Sequence, residues 1–265
     1  MFIKECTNEL KIKGNVLKTY NMKDICYFDI ETTGFNKEQD KIMLVSIGYF
    51  IDIDKFHIKQ YFAEDIEDEK ELLMKFKEDI ISFNTWCSYN GIAFDEAFIL
   101  KRMDKYEIEF ESPLNHVDLY RIIRPYYEQL GMNRCNLKTV EKFIGIDRTD
   151  EIDGGQSVDL YYEYLECKND SIKNVIMLHN FEDVLDLPLI FNLVYKIDMD
   201  DELERKNLIT KKQLKYLKYL LEKNDIKYAS NVEKISKKYA SKMINMFVKD
   251  NVDIRYVKNA LNNSY

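Results

Sequence analysis

The chain has few residues that interrupt regular structure: its 265 residues include 3 prolines and 8 glycines. This scarcity argues against an extended linker rich in proline and glycine. No segment approaches the roughly 18 consecutive apolar residues of a membrane-spanning helix. The first 25 residues also lack the apolar run of a secretory signal. We therefore expect a soluble, cytoplasmic protein that makes no membrane contact.

Recognisable cysteine pairs are also missing. The five cysteines are scattered along the chain, and none belongs to a Cys-x-x-Cys pair: Cys6, Cys26, Cys87, Cys135 and Cys167. Their odd number and their spacing argue against a disulfide framework and against a zinc ribbon. We expect them to be reduced, mostly buried thiols.

The sequence does contain enough apolar material for a large core, since apolar residues make up 46% of it. Its net charge of -8 is unevenly distributed. Residues 205–265 hold 15 basic and 5 acidic residues, whereas residues 1–204 hold 24 basic and 42 acidic residues. This split predicts an acidic body that carries a basic module. Such a module is typical of a nucleic-acid contact or of a solvated lysine-rich surface, and charge alone leaves both open.

Hydrophobic patterning predicts a mixed sheet with flanking helices. The predicted strands are 25–31, 42–50, 56–62, 85–89 and 116–119, and the predicted helices are 67–82, 94–103, 119–130, 136–144, 157–166 and 170–195. Asn136 and Asp170 are the predicted N-caps of two of these helices. This order of elements indicates an α/β fold with a mixed central sheet.

A segment of low apolar content at 198–207 marks a predicted domain boundary. The α/β domain would span residues 1–200, and a small all-helical, basic domain would span residues 205–265. Its predicted helices are 211–224, which Thr210 would cap, 232–248 and 252–262. We expect this domain to contact nucleic acid or a protein partner.

Two acids occupy unusual positions in the first of these strands. Asp29 and Glu31 stand two residues apart in an otherwise apolar segment, so they should project from the same face. Aspartate is depleted in strand interiors, and neighbouring carboxylates repel each other unless a cation lies between them. The pair therefore predicts a metal site.

Two further segments place acids at the ends of predicted elements. Asp95 follows a strand and a loop and opens the next helix, and Asn90 lies in that loop. His179 and Asp183 are four residues apart in the last long helix, so they share one face. Taken alone, Asp95 would be a favourable acid at a helix N-terminus and Asp183 a surface acid.

Together these segments resemble the three motifs of the DEDD class of 3′–5′ exonucleases, in the ribonuclease H-like superfamily. The matching motifs are Asp29-x-Glu31, Asn90-x-x-x-Phe94-Asp95 and His179-x-x-x-Asp183. Residues 137–148 and 153–161 further resemble the bacterial YprB-like domain of this class. The resemblance covers about residues 25–195, and its order of motifs makes it specific.

The resemblance implies a role for each matching residue. Four acids would hold two divalent ions, Mg²⁺ or Mn²⁺: Asp29, Glu31, Asp95 and Asp183. His179 would be the general base that takes a proton from the attacking water. The class carries either a tyrosine separated from the last aspartate by three residues or a histidine separated by four. This chain has a histidine at the tyrosine spacing, so His179 as the base is a hypothesis.

The resemblance also implies a pocket for the 3′ end of a nucleic acid. Its candidate residues are Thr32, Thr33, Gly34, Asn90 and Phe94. Tyr89, Phe94 and Phe98 would stack on a base or simply belong to the core, and Asn90 would bind a nucleotide or cap a helix. Asp118 is expected to have a structural role. Candidates for backbone phosphate contacts are Arg134, Lys138 and Arg148.

These observations predict a metal-dependent 3′–5′ exonuclease that hydrolyses a single-stranded 3′ end, with DNA slightly favoured over RNA. One alternative is a protein with the same fold that binds nucleic acid without cutting it. Another is an exonuclease specific for RNA, since no residue identifies the sugar. A third is a scaffold whose basic module recruits a protein partner.

Overall fold

The computed structural model describes residues 1–113, 115–228 and 230–263. Within these ranges the strands are Phe2–Glu9 (β1), Ile25–Thr32 (β2), Ile42–Phe50 (β3), Lys55–Phe62 (β4), Thr85–Ser88 (β5) and Asn115–Asp118 (β6). The α-helices described there are Gly14–Thr19 (α1), Glu69–Ile80 (α2), Asp95–Lys105 (α3), Leu119–Ile123 (α4), Leu137–Phe143 (α5), Gly154–Cys167 (α6), Asp170–Asp198 (α7), Lys211–Lys223 (α8), Lys237–Val248 (α9) and Ile254–Asn263 (α10).

In the described part of the chain, the strands form one six-stranded mixed sheet in the order β1-β4-β3-β2-β5-β6. The first four strands in that order pair antiparallel, whereas β2, β5 and β6 pair parallel. Parallel strands end at the same edge, so the carboxyl ends of β2, β5 and β6 lie together. The predicted mixed sheet with flanking helices is confirmed.

The two faces of the sheet carry separate hydrophobic cores. Phe28 of β2 belongs to the core that α2, α3 and α6 cover. Tyr27, on the opposite face of the same strand, belongs to the core that α1, α4, α5 and much of α7 cover. β2 is therefore enclosed on both sides, which fixes the strand that carries Asp29 and Glu31.

The structure adds two elements and corrects two local predictions. Hydrophobic patterning predicts neither β1 nor α1, yet β1 pairs with β4 as an edge strand. Helix α4 ends at Ile123 and not at residue 130, because Pro125 has no backbone N–H with which to continue the helical hydrogen bonds. The N-cap of α7 is Asn169, whose side chain accepts from Ser171 N, and not Asp170. The Asn136 cap of α5 is confirmed.

Residues 209–261 contribute a third hydrophobic cluster of their own. The Thr210 side chain caps α8 as expected, and Gln213 completes the capping box. The division into domains 1–200 and 205–265 stays a prediction. All five cysteines lie within the described ranges, and all are free. The helices described include none that is long and apolar enough to cross a membrane.

A buried ion pair holds the loop between β2 and β3. Arg102 of α3 donates to both carboxylate oxygens of Glu69, from Nε at 2.8 Å and from Nη2 at 2.6 Å. Arg102 Nη1 also donates to the carbonyl oxygens of Lys37 and Glu38 in that loop, at 3.3 and 3.2 Å. Both side chains of the ion pair are fully buried. The pair thus joins α2 and α3 to the segment that follows the β2 acids.

We expect Arg102→Leu to lower the free energy of unfolding by about 3–5 kcal/mol, because it leaves the Glu69 carboxylate buried without its partner. Urea denaturation followed by circular dichroism measures this loss. The matched control is Lys101→Leu, which removes a partly exposed ion pair with Glu38 and should cost less than about 1 kcal/mol. Equal losses in both variants would contradict this account.

Candidate active site

The site lies at the carboxyl end of the central strand β2. The ladder between β2 and β3 shifts register between Glu31 and Thr32, so regular pairing breaks where the acids emerge. Asp95, the first residue of α3, accepts a hydrogen bond from Ile30 N at 3.2 Å. This bond places the Asp95 carboxylate beside the residue that separates Asp29 from Glu31.

A buried chain of polar side chains orients Asp29. Gln60 Nε2 donates to Ser46 Oγ at 2.9 Å, and Ser46 Oγ donates to Asn180 Oδ1. Asn180 Nδ2 then donates to Asp29 Oδ2 at 2.7 Å. Ser46, Gln60 and Asn180 are all buried. The chain runs from β4 through β3 and α7 to β2, and it fixes which way the Asp29 carboxylate faces.

Helix α7 brings the third predicted motif to the same place. His179 Nε2 lies 3.5 Å from Glu31 Oε1 and 3.8 Å from Asp183 Oδ2. Ligand atoms of Glu31, His179 and Asp183 all lie within 4.8 Å of one another. The three segments that the sequence analysis singled out therefore meet, although they are far apart in the chain.

Burial and mutual repulsion shift the titration of these acids. Burial raises the pKa of Asp29 well above its usual range, and the charges of Asp95, Asp183 and Glu31 raise it further. Burial and then the Asp183 charge raise the pKa of Glu31 well above its usual range. Burial raises the pKa of Asp95 to about 7, although two backbone hydrogen bonds oppose this. The cluster therefore disfavours full ionisation unless a cation compensates it.

These residues fit a divalent cation. The converging groups are carboxylate oxygens with one imidazole nitrogen, and ligation dominated by oxygen suits Mg²⁺ and Mn²⁺. The raised pKa values of Asp29 and Glu31 fit as well, because a bound cation would favour the ionised forms. Glu31 and Asp183 are the nearest pair to His179 Nε2, and Asp29 and Asp95 would complete the ligand set.

Sequence reasoning missed the residue that orients His179. The ring of His179 places Nδ1 3.0 Å from Asp150 Oδ1, while Nε2 faces Glu31 and Asp183. The two ring nitrogens thus have different partners, and Asp150 favours the tautomer with the proton on Nδ1. Burial alone would raise the pKa of Asp150, but the nearby charges of Arg148 and His179 lower it below its usual range. The sequence signal was weak: Asp150 stands two residues after Arg148, just beyond a segment of resemblance.

Arg148 is not available as a phosphate contact, which corrects the prediction made for it. Its guanidinium is largely buried and donates from Nη1 to Asp183 Oδ1 and, at 3.0 Å, to Glu141 Oε1. It also donates from Nε to Asp150 Oδ2 at 2.6 Å and from Nη2 to His179 O at 2.9 Å. Arg148 therefore holds Asp150 and the Asp183 oxygen that is not the one nearest to His179 Nε2.

The predicted contacts with a 3′ end fall into two groups. Thr32, Thr33 and Gly34 form a turn beside Glu31, in which Thr32 Oγ1 donates to Gly34 O at 2.7 Å. A Cβ on Gly34 would displace the Asp40 carboxylate, which accepts a hydrogen bond from Asn36 N at 2.7 Å. Phe94 forms an edge-to-face pair with the exposed Phe35, with ring centroids 6.0 Å apart.

The other aromatic and polar candidates make contacts within the fold, and their predicted contacts with a 3′ end stay predictions. Phe98 is fully buried in the core, and the Tyr89 hydroxyl donates to Cys135 O at 2.8 Å. Asp118 caps α4 and accepts from Asn90 N at 2.8 Å, as expected. Asn90 has a φ of 66°, so this bond helps to hold its left-handed backbone. Lys138 lies 3.3 Å from Asp150.

The sheet order and the acids at the end of its central strand define a ribonuclease H-like fold. A family profile described as RNase_H superfamily (RNase_H_2) matches residues 26–195. The chain therefore belongs to the RNase_H superfamily.

Two individual proteins are also similar. One is the Bacillus subtilis (strain 168) protein described as uncharacterized protein YprB, which is 28% identical over 173 residues. The alignment covers 64% of this chain and 41% of that protein, so the chain spans less than half of the relative. A solved structure of Brucella melitensis NrnC bound to pGG is 14% identical, with a TM-score of 0.33, over 72% of this chain and 94% of that one.

We expect Asp95 to make the metal-free protein less stable as the pH rises. Its folded-state pKa of about 7 exceeds the unfolded value of about 3.9, so folding favours the protonated form. Its stabilising contribution is complete below about pH 4 and is lost as the pH rises through about 7. In EDTA, Asp95→Asn should therefore become progressively more stable than wild type from pH 5 to 8, as measured by urea denaturation.

The control for this measurement is Asp201→Asn, which alters an exposed carboxyl group and should leave the pH profile of wild type unchanged. If the free energies of unfolding of Asp95→Asn and wild type differ by the same amount at every pH, the titration of Asp95 does not make the stability depend on pH.

Proposed function

We propose that this protein is a metal-dependent 3′–5′ exonuclease that hydrolyses phosphodiester bonds at a single-stranded nucleic-acid end. The observation that supports this most is the convergence of Glu31, His179 and Asp183 within 4.8 Å, with Asp29 and Asp95 electrostatically coupled to them. Membership of the RNase_H superfamily supports phosphodiester hydrolysis as the reaction class.

The four acids would hold two divalent cations. When bound, such a pair stabilises the attacking and leaving oxygens of an in-line displacement. In the protein itself, the Gln60–Ser46–Asn180 chain would keep Asp29 in the orientation that ligation requires. Arg148 occupies Asp183 Oδ1, which leaves Oδ2 as the atom facing His179 and Glu31.

His179 would act as the general base. With its proton held on Nδ1 toward Asp150, Nε2 presents a lone pair to the space between Glu31 and Asp183, where an attacking water would be held. A base placed within hydrogen-bond reach of the nucleophile accelerates its deprotonation. Asp150 is then a positioning residue, because it acts through the ring of His179.

The end of the substrate would lie beside the turn of Thr32, Thr33 and Gly34. Phe94 and the exposed Phe35 offer aromatic surface next to this turn, and base–aromatic stacking tolerates any base. Discrimination between sugars depends on contacts with the 2′ position. We propose DNA as the slightly favoured substrate, and an RNA-specific exonuclease as the second candidate.

Digestion of oligonucleotides labelled at the 5′ or 3′ end tests this function. With Mn²⁺ or Mg²⁺ we expect the 3′ label to be lost first and the 5′-labelled strand to shorten stepwise. EDTA and the substitution Asp29→Asn should both abolish the reaction, because each removes the cation site. Parallel DNA and RNA substrates identify the sugar preference.

The matched control is Asp24→Asn, which changes an exposed acid just before β2 and should retain full activity. Binding of the oligonucleotide without any metal-dependent shortening would favour the alternative of a non-cutting binding protein. Loss of the 5′ label first would contradict the proposed direction.

We expect His179→Ala to lower kcat by about 10²- to 10⁴-fold, as the loss of a general base does. Asp150→Asn should lower kcat by about 10- to 100-fold, the usual effect of losing a residue that orients a catalytic histidine. KM should change little in both variants, and Mn²⁺ should still raise the melting temperature of each. Steady-state kinetics and thermal melting measure these effects.

The control is Lys142→Gln, since Lys142 is an exposed lysine of helix α5 and the described residues give it no contact with Asp150 or His179. Its kcat should stay near that of wild type. An unchanged kcat in His179→Ala would exclude this residue from the reaction, whereas a KM effect alone would give it a role in binding only.

A further inference from the structure

A groove of about 930 Å³ separates the α/β body from the C-terminal helices. Body residues on one wall come from the loop after β5, from α4 and from the turns that follow it. The other wall consists of residues 205–207 and the start of α9. Roughly half of the lining therefore lies outside residues 26–195, the part of the chain that matches the superfamily.

The groove is strongly basic, although the whole chain carries a net charge of -8. Its lining contains one acid, Glu128, and the following cations: Arg121, Arg124, Arg205, Lys206, Lys237 and Lys238. Lys206 pairs with Glu128 at 2.8 Å, and Arg121 lies 3.3 Å from Asp118.

Three of these cations keep their charge available to a ligand. Arg124, Lys237 and Lys238 are exposed, and the described residues give them no carboxylate partner. The two lysines also open helix α9, where a positive charge is unfavourable next to the positive end of the helix dipole. Their placement there disfavours stability, so it is better explained by an anionic ligand than by folding.

Aromatic rings lie between these charges. Tyr120, Tyr127 and Tyr239 all line the groove and are half-buried. The Arg124 guanidinium lies 5.2 Å from the centre of the Tyr120 ring, and Arg121 lies 5.2 Å from that of Tyr239. Tyr239 is also stacked on Tyr256, whereas the described residues give Tyr127 no ring contact. Cations beside an available aromatic ring suit a chain of phosphates and bases, because the cations meet the phosphates and the ring stacks on a base.

The groove borders the loop that precedes Asp95. Asn90 and Ala93 line it, and they flank Gly91, where an added Cβ would lie 3.2 Å from Asp95 Oδ2. Asp118 connects the two regions, since it binds both Asn90 N and Arg121. The loop that holds Asp95 is therefore also part of the groove wall.

We propose that this groove binds the single-stranded segment of a nucleic acid that lies upstream of its 3′ end, and that the C-terminal helices form one wall of the binding site. This inference rests on the proposed exonuclease function and deepens it. A neighbouring cleft shares four residues with the groove and adds Arg134, so the binding surface extends along the body; the shared residues are Asn90, Tyr120, Arg124 and Tyr127.

The test measures binding separately from cleavage. The full chain carrying Asp29→Asn is titrated against a 5′-fluorescent single-stranded DNA 12-mer, and fluorescence anisotropy is recorded over a range of salt concentrations. The groove variant adds Arg124→Gln, Lys237→Gln and Lys238→Gln. The control variant adds Lys212→Gln, Lys215→Gln and Lys223→Gln, which remove the same charge from exposed positions of α8 outside the groove.

We expect the groove variant to bind about 10- to 100-fold more weakly at 0.1 M salt, and its salt slope to fall by about 2, because each phosphate contact on a single strand contributes about 0.7 to that slope. The control variant should stay within about threefold of its parent. The control variant should melt at the temperature of its parent. The groove variant should melt at or slightly above the temperature of its parent, because it loses two positive charges from the N-terminus of α9.

Other results would overturn the proposal. Equal losses in both variants would show that only overall charge matters, and a duplex binding as tightly as the single strand would exclude a single-strand groove. Displacement of the DNA by polyglutamate of equal charge at equal concentration would indicate an acidic polypeptide as the ligand. Cleavage by the parent chain without Asp29→Asn is scored independently, so failure of the groove and failure of the nuclease assignment are distinguishable.

Discussion

Repulsion between carboxylates gathered in a buried site is the constraint on which the rest of the structure depends. Burial and the charges of neighbouring acids, Asp183 among them, raise the pKa values of Asp29, Glu31 and Asp95. Such a cluster disfavours folding in the absence of a cation, so the surrounding structure must stabilise it. A central strand enclosed by two hydrophobic cores supplies that stability, and the free energy of core burial offsets the electrostatic cost.

The two sides of the site hold their carboxylates by different kinds of contact. On the side of β3 and β4, a neutral chain of hydrogen bonds reaches Asp29 through Asn180. On the side of the loop after α5, the charged guanidinium of Arg148 holds Asp150 and Asp183. The neutral flank leaves the charge of Asp29 available to a cation, whereas the ionic flank directs Asp183 and, through Asp150, His179. As a result, Asp183 Oδ2 and His179 Nε2 are the atoms of these two side chains that lie toward the other acids.

The groove offers a physical reason for the uneven distribution of charge along the chain. An acidic body repels nucleic acid except where cations compensate it, and the cations at the groove come from both the body and the C-terminal helices. Attraction at the groove and repulsion elsewhere would favour binding of a nucleic-acid strand along the groove. The same argument explains why Lys237 and Lys238 stand at an unfavourable end of their helix.

The sequence by itself determined what depends on local geometry. Spacing along one strand gave the shared face of Asp29 and Glu31, spacing along one helix gave that of His179 and Asp183, and apolar periodicity gave the sheet with its flanking helices. Only the tertiary structure decided the contacts that join distant segments: the β1 edge pairing, the hydrogen bond from Asn180 to Asp29, the partner of His179 and the ionic role of Arg148. Those contacts follow from how helices and loops pack across the sheet, and no periodicity along the chain records that packing.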